Sequence, residues 1–293
     1  MNKVVAIVVT YNRLAILKEC INALIKQKDR CDIMIINNAS TDETEKWCKS
    51  ILINDNVLYF NTGENLGGAG GFYYGMKEAF DKGYEYMWIM DDDCIPRNDA
   101  LSELVAVDKK LKGNYGWLSS LCYWKDGILC SMNIQMRSPY KRIRIEENDL
   151  ISTKMASFVS LFIKRNIISQ FGFPIKEFFI WTDDWEYTRR ISLSVACYTV
   201  KNSIVFHKMK SNSVVNIAND SEDRLWRYSY FYRNDVVLYS REGLFGWIWV
   251  VAKDVWHSLQ VILALKFDRL PIIWRGFYNG ISFIQIVNQD NKS

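Results

Sequence analysis

Three consecutive aspartates, Asp91, Asp92 and Asp93, follow the apolar run from Tyr86 to Met90. This run predicts a strand buried on both faces, so the carboxylates leave its C-terminal end, where open α/β sheets bind ligands. Adjacent carboxylates repel one another, and their hard oxygen atoms suit Mg²⁺ or Mn²⁺, which commonly bridge carboxylates to phosphates. A solvated acidic turn that caps the next helix is an equally good reading. The triplet alone leaves both interpretations open.

Polar residues also follow the first two predicted strands. Thr10, Tyr11, Asn12 and Arg13 come directly after the first strand, at the sheet edge where a nucleotide would lie. The segment from Asn37 to Asp42 comes directly after the second strand, and a carboxylate there can accept a hydrogen bond from a base N–H. Ser40 or Thr41 could equally cap the next helix. Each signal is weak by itself.

A glycine-rich segment opens a predicted helix. It runs from Asn65 to Phe72 and contains Gly67, Gly68, Gly70 and Gly71. Glycines let the backbone approach a ligand closely, and the N–H groups of a helix start can face a phosphate. The segment lacks the lysine of a P-loop and the spacing of a dinucleotide fingerprint, so neither an ATPase nor a dinucleotide enzyme is indicated.

Acidic and aromatic residues cluster between Phe178 and Glu186, a segment that includes Trp181, Asp183, Asp184 and Trp185. The helix macrodipole explains one acid at a helix start. Three acids among four aromatic residues favour a partly apolar pocket that can tune a carboxylate into a general base. One of the two histidines, His207, follows a strand signal from Ile204 to Phe206, although a single histidine is more often structural than a metal ligand.

The first hundred residues alternate strand and helix patterns, which predicts an α/β fold with a mostly parallel sheet and helices on both faces. Strand patterns continue at Gly116 to Cys122, Gly127 to Asn133 and Ala156 to Ile163. We expect one domain from residue 1 to 215 and a C-terminal helical region from 216 to 293.

Composition excludes several classes of protein. The chain has 293 residues, 49% of them hydrophobic, and a net charge of +4, which is too small to indicate nucleic-acid binding. Seven cysteines without a C-x-x-C pair indicate reduced thiols in a cytoplasmic protein rather than zinc or disulfides. The apolar start is too short for a signal peptide and predicts the first strand.

The C-terminal region is rich in aromatic and aliphatic residues. The segment from Leu244 to Leu265 approaches the hydrophobicity of a membrane span, but Lys253, Asp254 and His257 lie in its middle, where a span tolerates charge poorly. Two interpretations remain. The helices contact the main domain or another subunit, or they form an amphipathic surface on a membrane.

Together these segments resemble the inverting nucleotide-sugar glycosyltransferases of family 2, which have the glycosyltransferase A-type fold. The resemblance covers roughly residues 3–240. It rests on VVTYNR, NNASTDET, NLGGAGGF, MDDD and FFIWTDDWEYTRR, and on the single histidine that follows. The set is closest to the galactofuranosyltransferase and rhamnosyltransferase branches. The galactofuranosyltransferases carry Trp immediately before the paired aspartates, whereas here Thr182 has that place and Trp181 precedes it.

The resemblance implies a role for each motif. Thr10 and Asp42 would contact the nucleoside, with Arg13 nearby and Asn12 also binding the nucleotide or donor. Asn65 with Gly67, Gly68, Gly70 and Gly71 would flank the diphosphate or donor sugar. Asp91, Asp93 and His207 would hold Mn²⁺ or Mg²⁺, and Asp92 would touch ribose or sugar. Asp184 would be the catalytic base, with Asp183 and Glu186 orienting the acceptor, beside Trp181 and Trp185. The segment Tyr232 to Asp235 would start the C-terminal helices.

The expected function is transfer of galactofuranose from a UDP-sugar to a bacterial cell-surface glycan such as O-antigen or capsule. A rhamnosyltransferase with a dTDP-sugar donor is the alternative. A nucleotidyltransferase would show glycines after the first strand, where Val9 to Asn12 has none, and a non-catalytic glycan-binding protein would leave the acidic clusters unexplained. We expect a cytoplasmic enzyme, peripheral at the inner face of the plasma membrane, with a lipid-linked glycan acceptor and a homo-oligomer as further expected partners.

Overall fold

The computed structural model of the chain describes residues 3–145, 148–209, 212 and 216–290. Two compact units make up the chain. The first consists of Met1–Lys176 and Asp184–Ser213, and the second of Glu177–Asp183 and Val214–Ser293. The predicted domain boundary after residue 215 falls outside the described residues, so it stays a prediction.

The strands of the first unit are short, and most are buried. They are β1 Val4–Thr10, β2 Asp32–Asn37, β3 Val57–Asn61, β4 Tyr86–Asp91, β5 Cys94–Pro96, β6 Trp117–Tyr123, β7 Met136–Ser138, β8 Lys141–Arg142, β9 Leu150–Ser152, β10 Leu161–Lys164 and β11 Tyr198–His207. The predicted strand from Gly127 to Asn133 is wrong. Only an isolated bridge between Tyr123 and Leu129 forms there, after a turn at Gly127 that has a left-handed φ of 80°.

The helices are longer in the second unit than in the first. They are α1 Leu14–Ile25, α2 Thr44–Ser50, α3 Gly67–Asp81, α4 Ala100–Leu111, α5 Arg165–Phe171, α6 Asp183–Ser192, α7 Leu225–Ser240, α8 Gly243–Leu263 and α9 Leu270–Asp290. Helix α3 begins at Gly67, so the glycine-rich segment forms the first turns of the helix.

Within the described residues, nine strands form one sheet in the order β3-β2-β1-β4-β10-β6-β11-β5, and β9 pairs with β11. The four strands that begin this order, β3, β2, β1 and β4, are parallel. Strand β10 is antiparallel to its neighbours β4 and β6. The observed mixed α/β sheet therefore confirms the predicted fold class, with its parallel half at the N-terminal end of the chain.

Apolar layers cover both faces of this sheet because successive strand residues point to opposite sides. On one face, Ala6 and Val8 of β1 pack with α1 and α4. On the other face, Val5 and Ile7 pack with α3 and α5. All seven cysteines are buried and unpaired, as their spacing predicts.

In the second unit, α9 packs closely on α7 at two glycines. A Cβ atom at Gly276 would lie 2.6 Å from Tyr232 Cβ, and one at Gly280 would lie 2.6 Å from Val236 Cβ. Only glycine permits this approach, because real Cβ contacts are longer.

Lys253 and Asp254, in the middle of the hydrophobic segment Leu244 to Leu265, face the interior of the second unit. Asp254 is fully buried, and Lys253 donates to Asp235 of α7 at 2.8 Å. Among the described residues, no helix is both long enough and apolar enough to cross a bilayer.

Candidate active site

The carboxyl ends of β1, β2 and β4 meet at one edge of the sheet. Thr10 at the end of β1 is in register with Asn37 of β2, and Val9 is in register with Asp91 at the end of β4. Since these strands are parallel, the polar residues that follow them emerge side by side, at the position where open α/β sheets bind their ligands.

The aspartates lie in the turn between β4 and β5, with Asp92 and Asp93 buried. Thr10 Oγ1 donates to Asp92 Oδ2 at 2.7 Å. The Arg13 guanidinium contacts Asp92 at 2.9 Å and Asp93 at 2.7 Å. Arg13 therefore bridges two of the three carboxylates in this structure.

His207 joins this cluster from the last residue of β11, which pairs with Cys94 of β5. Its Nε2 atom lies 2.8 Å from Asp93 Oδ1. One ligand atom each from Asp91, Asp93, Cys94 and His207 lies within 4.8 Å of the others. The structure thus brings together the three residues predicted to hold a metal, although His207 lies 114 positions after Asp93 in the chain.

The electrostatics of the cluster favour a cation. Burial raises the pKa of Asp91, and the nearby charge of Asp93 raises it further. Burial also raises the pKa of Asp92 despite the opposing charge of Arg13. Burial opposes ionisation of Asp93 as well, but the hydrogen bond and charge of His207 hold its pKa below the usual range. Crowded, poorly solvated carboxylates beside an imidazole nitrogen form a donor set that fits Mn²⁺ or Mg²⁺.

Asn133 is a site residue that the sequence did not reveal. Its Oδ1 atom lies 2.8 Å from His207 Nδ1 and 3.2 Å from Cys130 Sγ. Its Nδ2 atom donates to Ser157 Oγ at 3.0 Å, which orients the amide so that Oδ1 accepts from the imidazole. Such a partner holds the proton on Nδ1 and leaves Nε2 to face the carboxylates. No motif marks Asn133, since it lies in an irregular segment 74 residues before His207.

Asn12 connects the loops after β1 and β2. It has a left-handed φ of 53°, and its Oδ1 accepts from the backbone N–H of Thr41 at 2.7 Å and of Asp42 at 3.3 Å. Its own N–H donates to Ser40 Oγ at 2.9 Å. Asn12 therefore shapes the predicted nucleoside pocket through these bonds.

Asp42 lies at the exposed end of that pocket. Its Oδ1 accepts from the Thr44 N–H at 3.0 Å. Slight burial opposes ionisation, but the hydrogen bonds from Thr44 keep the pKa of Asp42 below its ordinary value. Asp42 is thus an anion at neutral pH, as a base-contacting carboxylate must be.

The glycine-rich segment has two distinct parts. A Cβ atom at Gly71 would lie 2.5 Å from Val9 Cγ1 and 2.9 Å from Asn38 Nδ2, so this glycine lets α3 approach β1. Gly70 faces its own helix start, where a Cβ atom would lie 2.6 Å from Leu66 Cβ. At Gly68 nothing lies within 4 Å of a Cβ atom, so this glycine faces open space. Only the beginning of the segment is accessible to a ligand.

Side-chain amides fix the start of α3. Asn65 Oδ1 accepts from the Gly67 N–H at 3.0 Å, and Asn38 Nδ2 donates to the Gly67 carbonyl at 2.8 Å. Asn38 is a further residue whose role the sequence did not reveal, because its partner lies 29 residues away. Gly67 itself has a φ of 70°, which glycine adopts without strain.

The acidic segment is divided between the two units. The stretch Glu177–Asp183 belongs to the second unit, and the stretch Asp184–Ser213 belongs to the first. Asp184 is half-buried, and its Oδ1 accepts from the Trp185 N–H at 2.7 Å. Glu186 is buried and pairs with Arg190 at 3.0 Å, one helical turn further on.

The residues before Asp183 are held in an uncommon backbone conformation. Phe179, Trp181 and Thr182 all have φ values between 63° and 69°. Left-handed non-glycine residues persist only where their surroundings hold them. The Asn234 amide donates to three carbonyls of this segment, those of Phe178, Ile180 and Trp181.

Trp181 and Thr182 are held by α7. Thr182 Oγ1 donates to Asp235 Oδ1 at 2.8 Å, and the Trp181 ring packs edge-on against Tyr228 and Phe231. The segment Tyr232 to Asp235 lies in the middle of α7 rather than at its start, which corrects the prediction that it begins the C-terminal helices. From the middle of α7, Asn234 and Asp235 hydrogen-bond to the segment before Asp183.

Comparisons with known proteins agree with this geometry. Residues 5–164 match the model of the family described as Glycosyl transferase family 2. The galactofuranosyltransferase GlfT1 of Mycolicibacterium smegmatis (strain ATCC 700084 / mc(2)155) is 22% identical over 290 residues, covering 90% of this chain and 95% of the relative. GlfT1 of Mycobacterium tuberculosis (strain ATCC 25618 / H37Rv) is 24% identical over 289 residues, covering 88% and 93%.

Solved structures share the fold. GalNAc-T7 with UDP, GalNAc and Mn²⁺ has a TM-score of 0.60 at 16% identity over 83% of this chain, which spans only 52% of that protein. S. aureus TarS 1–349 in complex with UDP has a TM-score of 0.56 at 16% identity, covering 99% and 91%. The mannosyltransferase PcManGT from Pyrobaculum calidifontis, in complex with GDP-Man and Mn²⁺, has a TM-score of 0.55 at 15% identity, covering 96% and 75%.

The family match covers more than half of the chain, and it confirms the predicted enzyme class. The matched residues include Asp91 to Asp93 and the strands up to β10, whereas β11 with His207 follows the matched region. The chain belongs to glycosyltransferase family 2.

Proposed function

We propose that this enzyme is a metal-dependent inverting galactofuranosyltransferase that uses UDP-galactofuranose. The observation that carries the metal-dependent chemistry is the cluster of Asp91, Asp93 and His207 at the carboxyl edge of the parallel strands. The choice of sugar is supported by the two galactofuranosyltransferase relatives, each aligned over nearly its whole length.

In the proposed mechanism, Asp91, Asp93 and His207 hold Mn²⁺ or Mg²⁺. The bound ion would stabilise the negative charge that develops on the departing diphosphate. Asp92, which already accepts from Thr10, would orient the ribose or the sugar. Arg13, whose guanidinium contacts Asp92 and Asp93, would contribute a second positive charge beside the diphosphate.

Thr10, Asn12 and Asp42 would form the nucleoside pocket. The hydrogen bonds of Asn12 to the backbone of Thr41 and Asp42 support this proposal because they hold the two loops in a single arrangement. Asn65, Gly67, Gly68, Gly70 and Gly71 would flank the diphosphate or donor sugar. The open space at Gly68 supports close approach of a ligand at that position.

Asp184 would act as the general base. It would take the proton of the acceptor hydroxyl while that oxygen attacks the anomeric carbon from the face opposite the diphosphate. One such displacement inverts the anomeric configuration. Asp183 and Glu186 would orient the acceptor, with Trp181 and Trp185 offering aromatic faces to its sugar rings. The ion pair with Arg190 supports a fixed position of the Glu186 side chain.

One sequence feature favours a second donor. Thr182 stands where galactofuranosyltransferases carry Trp, and Trp181 precedes it. A rhamnosyltransferase that uses a dTDP-sugar is therefore the alternative within the same reaction class. The roles of the metal ligands and the base would be unchanged.

The acceptor we propose is a hydroxyl of a growing bacterial cell-surface glycan, such as O-antigen or capsule, carried on a lipid at the inner face of the plasma membrane. Residues 1–215 would supply catalysis, and residues 216–293 would contact the acceptor, another subunit or the membrane. The aromatic composition of α7 and α8 supports a binding role for this C-terminal region.

A donor screen tests the proposal. Purified enzyme is incubated with Mn²⁺, a synthetic lipid-linked acceptor and UDP-galactofuranose, UDP-galactopyranose or dTDP-rhamnose, and products are read by mass spectrometry and linkage analysis. We expect a galactofuranosyl product of inverted configuration from UDP-galactofuranose alone. A rhamnosyl product would transfer the assignment to the alternative donor, and a product of retained configuration would disprove the single displacement.

A further inference from the structure

Helix α8 has the reverse of the usual polarity of a surface helix. The residues it buries against the rest of its unit are Gly246, Val250, Asp254, Ser258 and Val261, of which two are polar and one is glycine. Amphipathic helices of globular proteins normally bury their apolar stripe and expose their polar one.

The outward face of α8 is apolar throughout. Every exposed residue described in α8 is uncharged and non-polar, from Leu244, which is 78% exposed, to Leu263, which is 82% exposed. Trp256, in the second half of the helix, is 58% exposed. Leu265 and Phe267 extend the same surface beyond the end of the helix. We call this surface the α8 face.

The extent of the α8 face is that of a protein interface. Twenty-one residues span about 30 Å of helix. Large apolar side chains exposed along this length present on the order of 1,000 Å², whereas the largest apolar patch of a typical monomer covers about 300–600 Å². Each partner in a stable interface contributes about 800 Å².

The middle of the α8 face contains a shallow, open groove. It is lined by Trp247, Ile248, Val251 and Ala252. The small side chain of Ala252 lies next to the midpoint of Gly243–Leu263 and permits close approach of another helix. A two-fold axis beside Ala252 would place Trp256 of a second copy over Ile248, so each copy would fill the groove of the other.

From these features we propose that the α8 face is the interface of a two-fold homodimer, with the α8 helices antiparallel and crossing at Ala252. This isologous arrangement uses the same surface twice and closes without leaving a free face. Helices that lie on lipid carry Lys and Arg for the anionic headgroups. In α8 the one such residue is Lys253, which lies on the inward side and pairs with Asp235 and Asp254, and this favours a second copy over a bilayer.

The oligomeric state of the full chain tests this proposal independently of the sugar donor. In sedimentation velocity we expect a discrete dimer, with Ala252→Arg shifted to monomer because it places a charge at the crossing point. Ser282→Arg, at an exposed position of α9, is the matched control and should stay dimeric. Circular dichroism establishes that both variants are folded.

Cross-linking provides a second readout that does not depend on the charged variant. All seven native cysteines are buried, so Ala252→Cys adds one accessible thiol close to its symmetry mate. A short bis-maleimide should link Ala252→Cys into dimers but leave Ser282→Cys as single chains. A monomer at all concentrations, or a dimer that Ala252→Arg does not dissociate, would overturn the proposal. Monomeric protein that co-sediments with phosphatidylcholine vesicles would identify lipid as the occupant instead.

Discussion

Asp184 is the residue on which the proposed proton transfer depends. Its half-buried carboxylate accepts from the Trp185 N–H through one oxygen, and an asparagine can reproduce that hydrogen bond but cannot take a proton. We expect Asp184→Asn to lower kcat by about 10²–10⁴-fold, the usual contribution of a general base. Binding of UDP with Mn²⁺ should remain near normal, as measured by calorimetry alongside UDP release.

Asp126→Asn is the matched control, because Asp126 is an exposed acid that only stabilises a turn. Its turnover should equal that of the wild type. Substantial turnover by Asp184→Asn would show that another group is the base.

Asn133 should matter for metal affinity although it would not touch the ion. Asn133→Leu removes the acceptor for His207 Nδ1 and leaves a buried N–H without its partner. We expect Mn²⁺ binding, followed by electron paramagnetic resonance without substrate, to weaken about 10–100-fold, as is usual for partners of metal-ligating histidines. Asn133→Asp keeps the acceptor and should bind Mn²⁺ far more tightly than the leucine variant. Equal affinities of the two variants would contradict this role.

At the scale of elements, the start of α3 combines a packing task with a binding task. Gly71 lies against β1, whereas Gly68 faces open space three residues earlier. The same sequence motif therefore contains one glycine that the fold requires and one that the fold does not require.

Two alanine substitutions separate these tasks. Gly71→Ala must displace Val9 or Asn38, and we expect the free energy of unfolding to fall by about 1–3 kcal/mol, as in overpacked cores. Gly68→Ala meets no atom and should leave stability unchanged or raise it by about 0.5–1 kcal/mol, because alanine is the better helix former. Urea unfolding measures both, and equal losses would disprove the division.

For the whole molecule, donor and metal should stabilise the fold together. A ligand at 100 times its Kd adds about 2.7 kcal/mol to the folded state. We therefore expect UDP with Mn²⁺ to raise Tm by several degrees, with smaller shifts for dTDP and GDP. EDTA should abolish the UDP shift, since the diphosphate would then face the uncompensated carboxylates. A dTDP shift as large as that of UDP would favour the alternative donor, and a UDP shift that persists in EDTA would contradict metal dependence.

Much of the architecture follows from local patterns. Apolar runs of strand length, followed by polar residues, predict β1, β2 and β4 together with the edge at which they end, because side-chain periodicity and burial act over a few residues. The failure at Gly127 to Asn133 has a local cause as well. The turn at Gly127 leads into an irregular segment that forms only an isolated bridge to Tyr123.

The sequence by itself determined the alternating strands and helices of the first hundred residues and the delivery of Asp91 to Asp93 to the end of β4, because these depend on hydrophobic periodicity. The family resemblance already implied His207, but only the tertiary structure placed it 2.8 Å from Asp93, 114 residues earlier, and placed Asn133 against it across 74 residues. The tertiary structure also decided that Arg13 bridges the aspartates and that α8 presents its apolar side outward. These outcomes depend on contacts between residues that are far apart in the chain, which no local pattern encodes.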